Sequence, residues 1–431
     1  MILQEAMMST PARLTVANAL SDVFIEGRKP RWGWDKNLSA QDARLAHAML
    51  GQCLRKWGRL NAWCVQKLKF PERGLPPQSK IHLNMGLAQL AWLPGVATHA
   101  AVSEAVELVS RRDHLGFAAH KGLVNSILRA ASKDRKCLAA ELESLSPNLD
   151  RTPIAERLLK DALGESYAPE NVETLWRRLQ QPPEPSFVAL KGPPPSGLIR
   201  ADQWPHPYKL TPNCPYPLDW LRSGAGMVQD VSSQALMLFD WSFGDRASSS
   251  PLRIADLCAA PGGKTTSLHY RWPDSRIFAI DQDPSRAKTL RENLQARSVP
   301  AQIELADSIA WLADQGTPFD IILIDAPCSG SGTIRKHPEI VWTLQESDIY
   351  RLAEAQAKLL DAALPKLAPG GLLIYSVCSW FPEEGTAHLP RLLQDRPNIV
   401  PAAIWPGPSH LFSPNPLAWE GEGFQAFALT K

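Results

Sequence analysis

The sequence predicts two architectures in series: an all-α front part, then an α/β part built on a parallel, doubly wound sheet. Three observations carry this. Leu, Ala and Met recur at three- and four-residue intervals through the first 150 residues; eleven prolines crowd residues 181–217; and after Met227 short apolar runs alternate with helical segments. At 431 residues the chain exceeds the roughly 250–300 residues at which a single core stops growing, so more than one domain is required.

In chain order, "SAQDARLAHAMLGQCLRKWGRLNAWCVQKL" (39–68) reads as one helix with Ser39 as its N-cap, followed by helical stretches over 81–93, 102–112 and 121–132. β-branched runs are scarce there, so an all-α bundle is expected over 1–150. Residues 151–225 are expected to hold a connecting helix and a proline-rich linker module, because proline fixes φ and removes a backbone donor. Within 226–431 the expected strands are 252–257, 276–280, 302–305, 320–324 and 371–377, with helices over 285–297 and 349–367 between them.

Composition narrows the function classes. Residues 1–150 hold 20 Lys and Arg against 13 Asp and Glu, a net of +7, whereas the remainder holds 26 against 31, a net of −5. A basic front suggests a polyanionic partner, although a solvated helical surface gives the same count. Seven cysteines without a CxxC pair point to reduced thiols and a cytoplasmic location, and no metal site is expected. No apolar stretch approaches the roughly 18 residues of a membrane span, and "MILQEAMMSTPARL" lacks the form of an export signal.

The chemistry gathers at the carboxyl ends of the expected strands, where ligands of such sheets bind. The first strand runs into "DLCAAPGGKTT", whose Gly262 and Gly263 let backbone approach a ligand at a helix N-terminus. The next three strands end at Asp281, Asp307 and Asp325. Each aspartate alone could cap a helix or turn; the three together favour a nucleoside ligand. The turn is neither G-x-G-x-x-G nor a phosphate-cradling loop, so S-adenosylmethionine fits best, having a ribose, no phosphate and a sulfonium that acids attract. Two thiols then stand at neighbouring strand ends, Cys328 in "DAPCSGSG" and Cys378 in "SVCSW". A thiolate adding at cytosine C6 would make C5 nucleophilic enough to be methylated, and a base must then remove the C5 proton. Which thiol attacks is not settled by spacing. Cys53, Cys64, Cys137 and Cys214 read as packing residues.

Together "DLCAAPGGKTT", "DAPCSGSGTIRKHPEIVW", "YSVCSWFPEE" and "GFQAFALTK" resemble the bacterial RsmB (Sun, Fmu) family of 16S ribosomal RNA cytosine-C5 methyltransferases, and "AVSEAVELV" and "KGLVNSILR" resemble its NusB-like RNA-binding domain. The resemblance implies a Rossmann-like S-adenosylmethionine methyltransferase domain preceded by an all-α NusB-like domain, acting as a monomer on small-subunit ribosomal RNA. It implies Cys378 as nucleophile, Cys328 in product release and Asp325 facing the cytosine. It also implies a cofactor loop of Cys258, Ala259, Ala260, Pro261, Gly262, Gly263 and Lys264, with Asp281, Asp307 and Asp325 as cofactor acids. The chain departs from the family in having Val377 where threonine usually precedes the nucleophile, and "VALKG" (188–192) at the start of a shortened middle module. Transfer RNA as substrate, or a non-catalytic assembly factor, are the competing readings; intact acids and both thiols argue against the latter.

Overall fold

The computed structural model describes residues 11–31, 33–113, 115–202, 205–241, 251–406 and 409–431; the first ten, read above for an export signal, lie outside them. The chain divides into two compact units, one running to Glu156 and including His337–Leu344, the other Arg157–Lys336 with Gln345–Lys431.

The first unit is helical: α1 Pro11–Phe24, α2 Ala40–Arg55, α3 Trp57–Gln66, α4 Pro77–Trp92, α5 Thr98–Val109, α6 Lys121–Ala131 and α7 Arg135–Ser144. Ser39 caps α2, its hydroxyl accepting the Asp42 N–H at 3.1 Å. The single helix expected over 39–68 is two, parted at Lys56. The break lets Trp57 stack on Phe24 at 3.7 Å and brings Gly58 against the Leu149 carbonyl, where a Cβ would stand only 1.7 Å from the oxygen. Helix α4 is buried around most of its circumference, so it is the centre of the bundle. Several of its polar side chains are paired: Gln89 accepts from buried Arg13 at 2.6 Å and Asn84 donates to Asn61 at 3.0 Å. Cys53 and Cys64 are buried in this core, as packing residues should be. Cys137 corrects its reading: it is exposed in the first turn of α7, on the outer face, with its thiol toward Glu141. Cys214, in the proline-rich segment, is only half-buried.

In the second unit the described residues of the proline-rich stretch include short strands. Strands β1 Ser186–Ala189, β2 Leu198–Arg200, β3 Tyr208–Leu210 and β4 Gly226–Val228 form an antiparallel sheet in the order β2-β3-β1-β4. The prolines lie between the strands and keep them at three or four residues, so a sheet forms where a linker was expected.

The larger sheet runs β10 (Val400–Pro401), β12 (Gln425–Thr430), β9 (Leu367–Val377), β8 (Phe319–Asp325), β5 (Arg253–Leu257), β6 (Arg276–Asp281) and β7 (Gln302–Leu305), with β11 (Leu411–Phe412) paired to β12. Strands β5 to β9 are parallel, and β12 is antiparallel to β9. Both faces are apolar: Leu257, Ile280, Ile324 and Tyr375 pack on one side, Ile254, Ile277, Leu323 and Ile374 on the other. Continuous burial of this kind is what parallel strands require. The chain proceeds outward from β5 to β7 on one side and returns through β8 and β9 on the other. The order therefore reverses between β5 and β8, and a crevice opens at their carboxyl ends. Among the described residues no helix is long and apolar enough to cross a membrane.

Candidate active site

The loop after β5 forms one wall of that crevice. Cys258 adopts φ +63° and Gly262 φ +98°, turning the chain into the helix Gly263–Arg271. Gly262 has no freedom for a side chain, since a Cβ there would meet Leu290 at 2.8 Å. At Gly263 an added Cβ would only touch the Gln229 amide nitrogen, at 3.4 Å. Burial lifts the Cys258 thiol to about 12.

The acids differ in how far they are committed. Asp281, buried at the end of β6, accepts the Ala260 N–H at 3.2 Å and the Asp283 N–H at 3.1 Å. Its Oδ2 is also ion-paired with Arg286 at 3.4 Å, so Oδ1, which takes one N–H, is the oxygen with a lone pair left for a hydroxyl. Asp307 is exposed, two residues beyond β7, and caps the short helix Ser308–Ala313 through Ala310 N–H at 2.9 Å. Asp325, at the end of β8, pairs with Lys264 at 2.7 Å and accepts from Ser376 at 3.0 Å. Burial pulls the Lys264 ammonium down, but Asp325 and then Cys378 more than offset this and hold it above its ordinary value.

Strands β8 and β9 place Asp325 opposite Ser376. Cys328 and Cys378 follow those residues and come together, sulfur to sulfur, at 3.4 Å. The Cys328 thiol is raised well above its ordinary value, first by its hydrogen bond with Cys378 and then by burial. Thus Cys328, Cys378, Asp325 and Lys264 share one end of the crevice. The cofactor-loop residues and Asp281 line its β5–β6 side, and Asp307 stands on the exposed edge.

Two further acids belong to this site and were not assigned from sequence. Asp256, inside β5, is fully buried; Thr265 donates to its Oδ2 at 2.5 Å, and its Oδ1 has no partner among the described residues. Burial lifts it to about 7. Its signal was an acid set among the apolar Ile254, Ala255 and Leu257. Glu384, also fully buried, accepts the Ser329 N–H at 2.7 Å, the Ser329 hydroxyl at 2.6 Å and the Ser379 hydroxyl at 2.6 Å. Its signal was a serine directly after each cysteine, followed by "PEE".

These groups suit a cationic nucleoside. A glycine turn opening a helix, the remaining lone pair of Asp281 Oδ1 and a buried Asp256 oxygen with no partner among the described residues match S-adenosylmethionine, whose carboxylate the free amides at Gly263–Arg271 can also meet.

Comparison with known proteins follows the same division. Residues 248–409 match the family described as 16S rRNA methyltransferase RsmB/F, and residues 10–133 match the NusB family. The chain is 32% identical to ribosomal RNA small subunit methyltransferase B of Yersinia pseudotuberculosis serotype O:1b over 96% of both chains, and equally to that of Yersinia pestis bv. Antiqua (strain Angola). Among solved structures, PH0851 aligns with a TM-score of 0.68 at 20% identity, covering 99% of this chain and 100% of its own. NSun6 from Pyrococcus horikoshii, solved with SFG, aligns with a TM-score of 0.54 at 18% identity, over 65% of this chain and 98% of its own. At these identities the two structures speak for the fold.

Proposed function

The chain belongs to the ribosomal RNA small subunit methyltransferase B family, and from that premise we propose that it methylates C5 of a cytosine in small-subunit ribosomal RNA through a covalent bond between Cys378 and C6 of the base. The observation that carries this is the pair of sulfurs at 3.4 Å beside Asp325, at the strand ends next to the cofactor loop. The target base must leave its stack to reach them.

S-adenosylmethionine, when bound, supplies the electrophilic methyl that the activated C5 takes. Cys258 to Lys264 cradle it, Asp281 receives its ribose hydroxyls, and Asp307 and Asp325 complete the acidic surround. Cys378 attacks C6 as a thiolate, and the Asp325–Lys264 pair offers a proton toward N3 as charge develops on the ring. The family resemblance favours Cys378 as the attacker, with the Cys328 thiol in hydrogen-bond contact with it and raised by that contact. Once Cys378 is bonded to carbon it no longer accepts from Cys328, whose thiol proton passes to solvent water and leaves a thiolate to act as base. It takes the C5 proton, the C5–C6 double bond reforms, and Cys378 departs as thiolate. The basic helical unit supplies phosphate contacts, and action on ribosomal RNA accords with a cytoplasmic location.

The test is methyl transfer to small-subunit RNA by wild type and Cys378→Ala, read as 5-methylcytosine. The variant is expected to lose it entirely; retained product sinks the assignment.

A further inference from the structure

We propose that Glu384 is the positioning residue of the two-thiol site: its carboxylate gathers the segments that follow Cys328 and Cys378 and so sets the distance between the sulfurs. This rests on the two-thiol reading above.

The geometry is specific. One buried carboxylate takes a backbone N–H and a hydroxyl from Ser329, the neighbour of Cys328, and a hydroxyl from Ser379, the neighbour of Cys378. Ser379 in turn accepts the Phe381 N–H at 3.1 Å, so its hydroxyl proton is directed at Glu384. The Glu384 backbone is itself held, its carbonyl accepting from Tyr375 at 2.6 Å in strand β9. Gln356 adds a tie from the other side, donating to the carbonyl of Pro327, just before Cys328, at 2.9 Å. The two segments also meet directly, through Ser331 and Ser379 hydroxyls at 2.9 Å and Gly332 N–H to Cys378 carbonyl at 3.0 Å.

A charged group in so closed a place is costly unless it is hydrogen-bonded, and an apolar filler would serve packing as well. What a filler cannot do is accept from both cysteine segments at once. An ionised carboxylate is acceptor-only, and three donors from Ser329 and Ser379 converge on it, with the Gln356 side chain hydrogen-bonded to it as well. Cys328 can control and later receive protons only while its sulfur stays near Cys378 and the base between them. Loosening the clamp should therefore spare cofactor binding, slow turnover, and leave the RNA adduct stalled although both cysteines are present.

Full-length wild type and Glu384→Gln decide this by two readings. Glutamine keeps the size but sets an NH2 group against the converging donors. The first reading is the rate at which diamide closes the Cys328–Cys378 disulfide, followed by peptide mass: the thiols lose two electrons and two protons, and the diazene becomes a hydrazine. The second is turnover on small-subunit RNA. We expect disulfide closure at least tenfold slower, kcat at least tenfold lower with KM for S-adenosylmethionine within twofold, and a stalled protein–RNA band on a denaturing gel. A closure rate or a kcat within twofold of wild type overturns the proposal. Should Glu384→Gln not fold, Ser329→Ala, which removes one hydroxyl, carries both readings with closure expected about threefold slower and the same twofold limit. Wild type that made no 5-methylcytosine would defeat the proposed reaction, while the closure rates would still judge Glu384.

Discussion

Asp256 carries a carboxyl lifted to about 7 by burial, with one oxygen unpartnered among the described residues. Its folded-state value lies above the unfolded one, so its contribution to stability is full at low pH and is lost as pH rises from about 4 through about 7. Compared with Asp256→Asn, wild type is expected to lose stability progressively between about pH 4 and 7, by on the order of 4 kcal/mol at most; parallel denaturant curves across that range would contradict this. Gly262→Ala places a Cβ at φ +98° and 2.8 Å from Leu290, and should lower stability by about 1–3 kcal/mol and weaken S-adenosylmethionine binding in calorimetry. Sequence showed the residues at strand ends well, because parallel strands deliver Asp281, Asp325 and the two cysteines to one edge. It could not show Asp256 or Glu384 at work. Their importance lies in burial and in which donors converge on them, and neither is a matter of spacing. Asp307 is the opposite case: its position beyond a strand was legible, but not that it is exposed and engaged in capping a helix.

Elements were legible where the local pattern alone decides them. The five parallel strands came within a few residues of their expected bounds, because buried apolar runs between helices have few other fates. The helix break at Lys56 was hidden, since Trp57 stacking and the close approach of Gly58 depend on residues far along the chain. The small antiparallel sheet was hidden too: strands of three or four residues show no readable alternation. At the end of β9, Val377 is fully buried in an apolar cluster. Restoring the family's threonine, Val377→Thr, should cost about 1–3 kcal/mol in denaturant unfolding without raising the methylation rate. In the first unit, Ser39→Ala removes the N-cap of α2 and should cost about 1 kcal/mol in the same assay.

For the whole molecule, a net charge of only +2 conceals a front part at +7, and that asymmetry suits a chain that must hold RNA while an acidic crevice holds a cationic cofactor. RNA affinity should accordingly fall at least tenfold between about 50 and 200 mM salt, whereas S-adenosylmethionine affinity should change less than twofold; equal salt dependence in calorimetry would remove the electrostatic role. The covalent route remains the central claim, and Cys328→Ala reads it directly. Incubated with small-subunit RNA and S-adenosylmethionine, this variant should accumulate a protein–RNA adduct stable on a denaturing gel. Peptide mass mapping should find the methylated cytosine on Cys378. An adduct on another residue, or full turnover with no adduct at all, would contradict it.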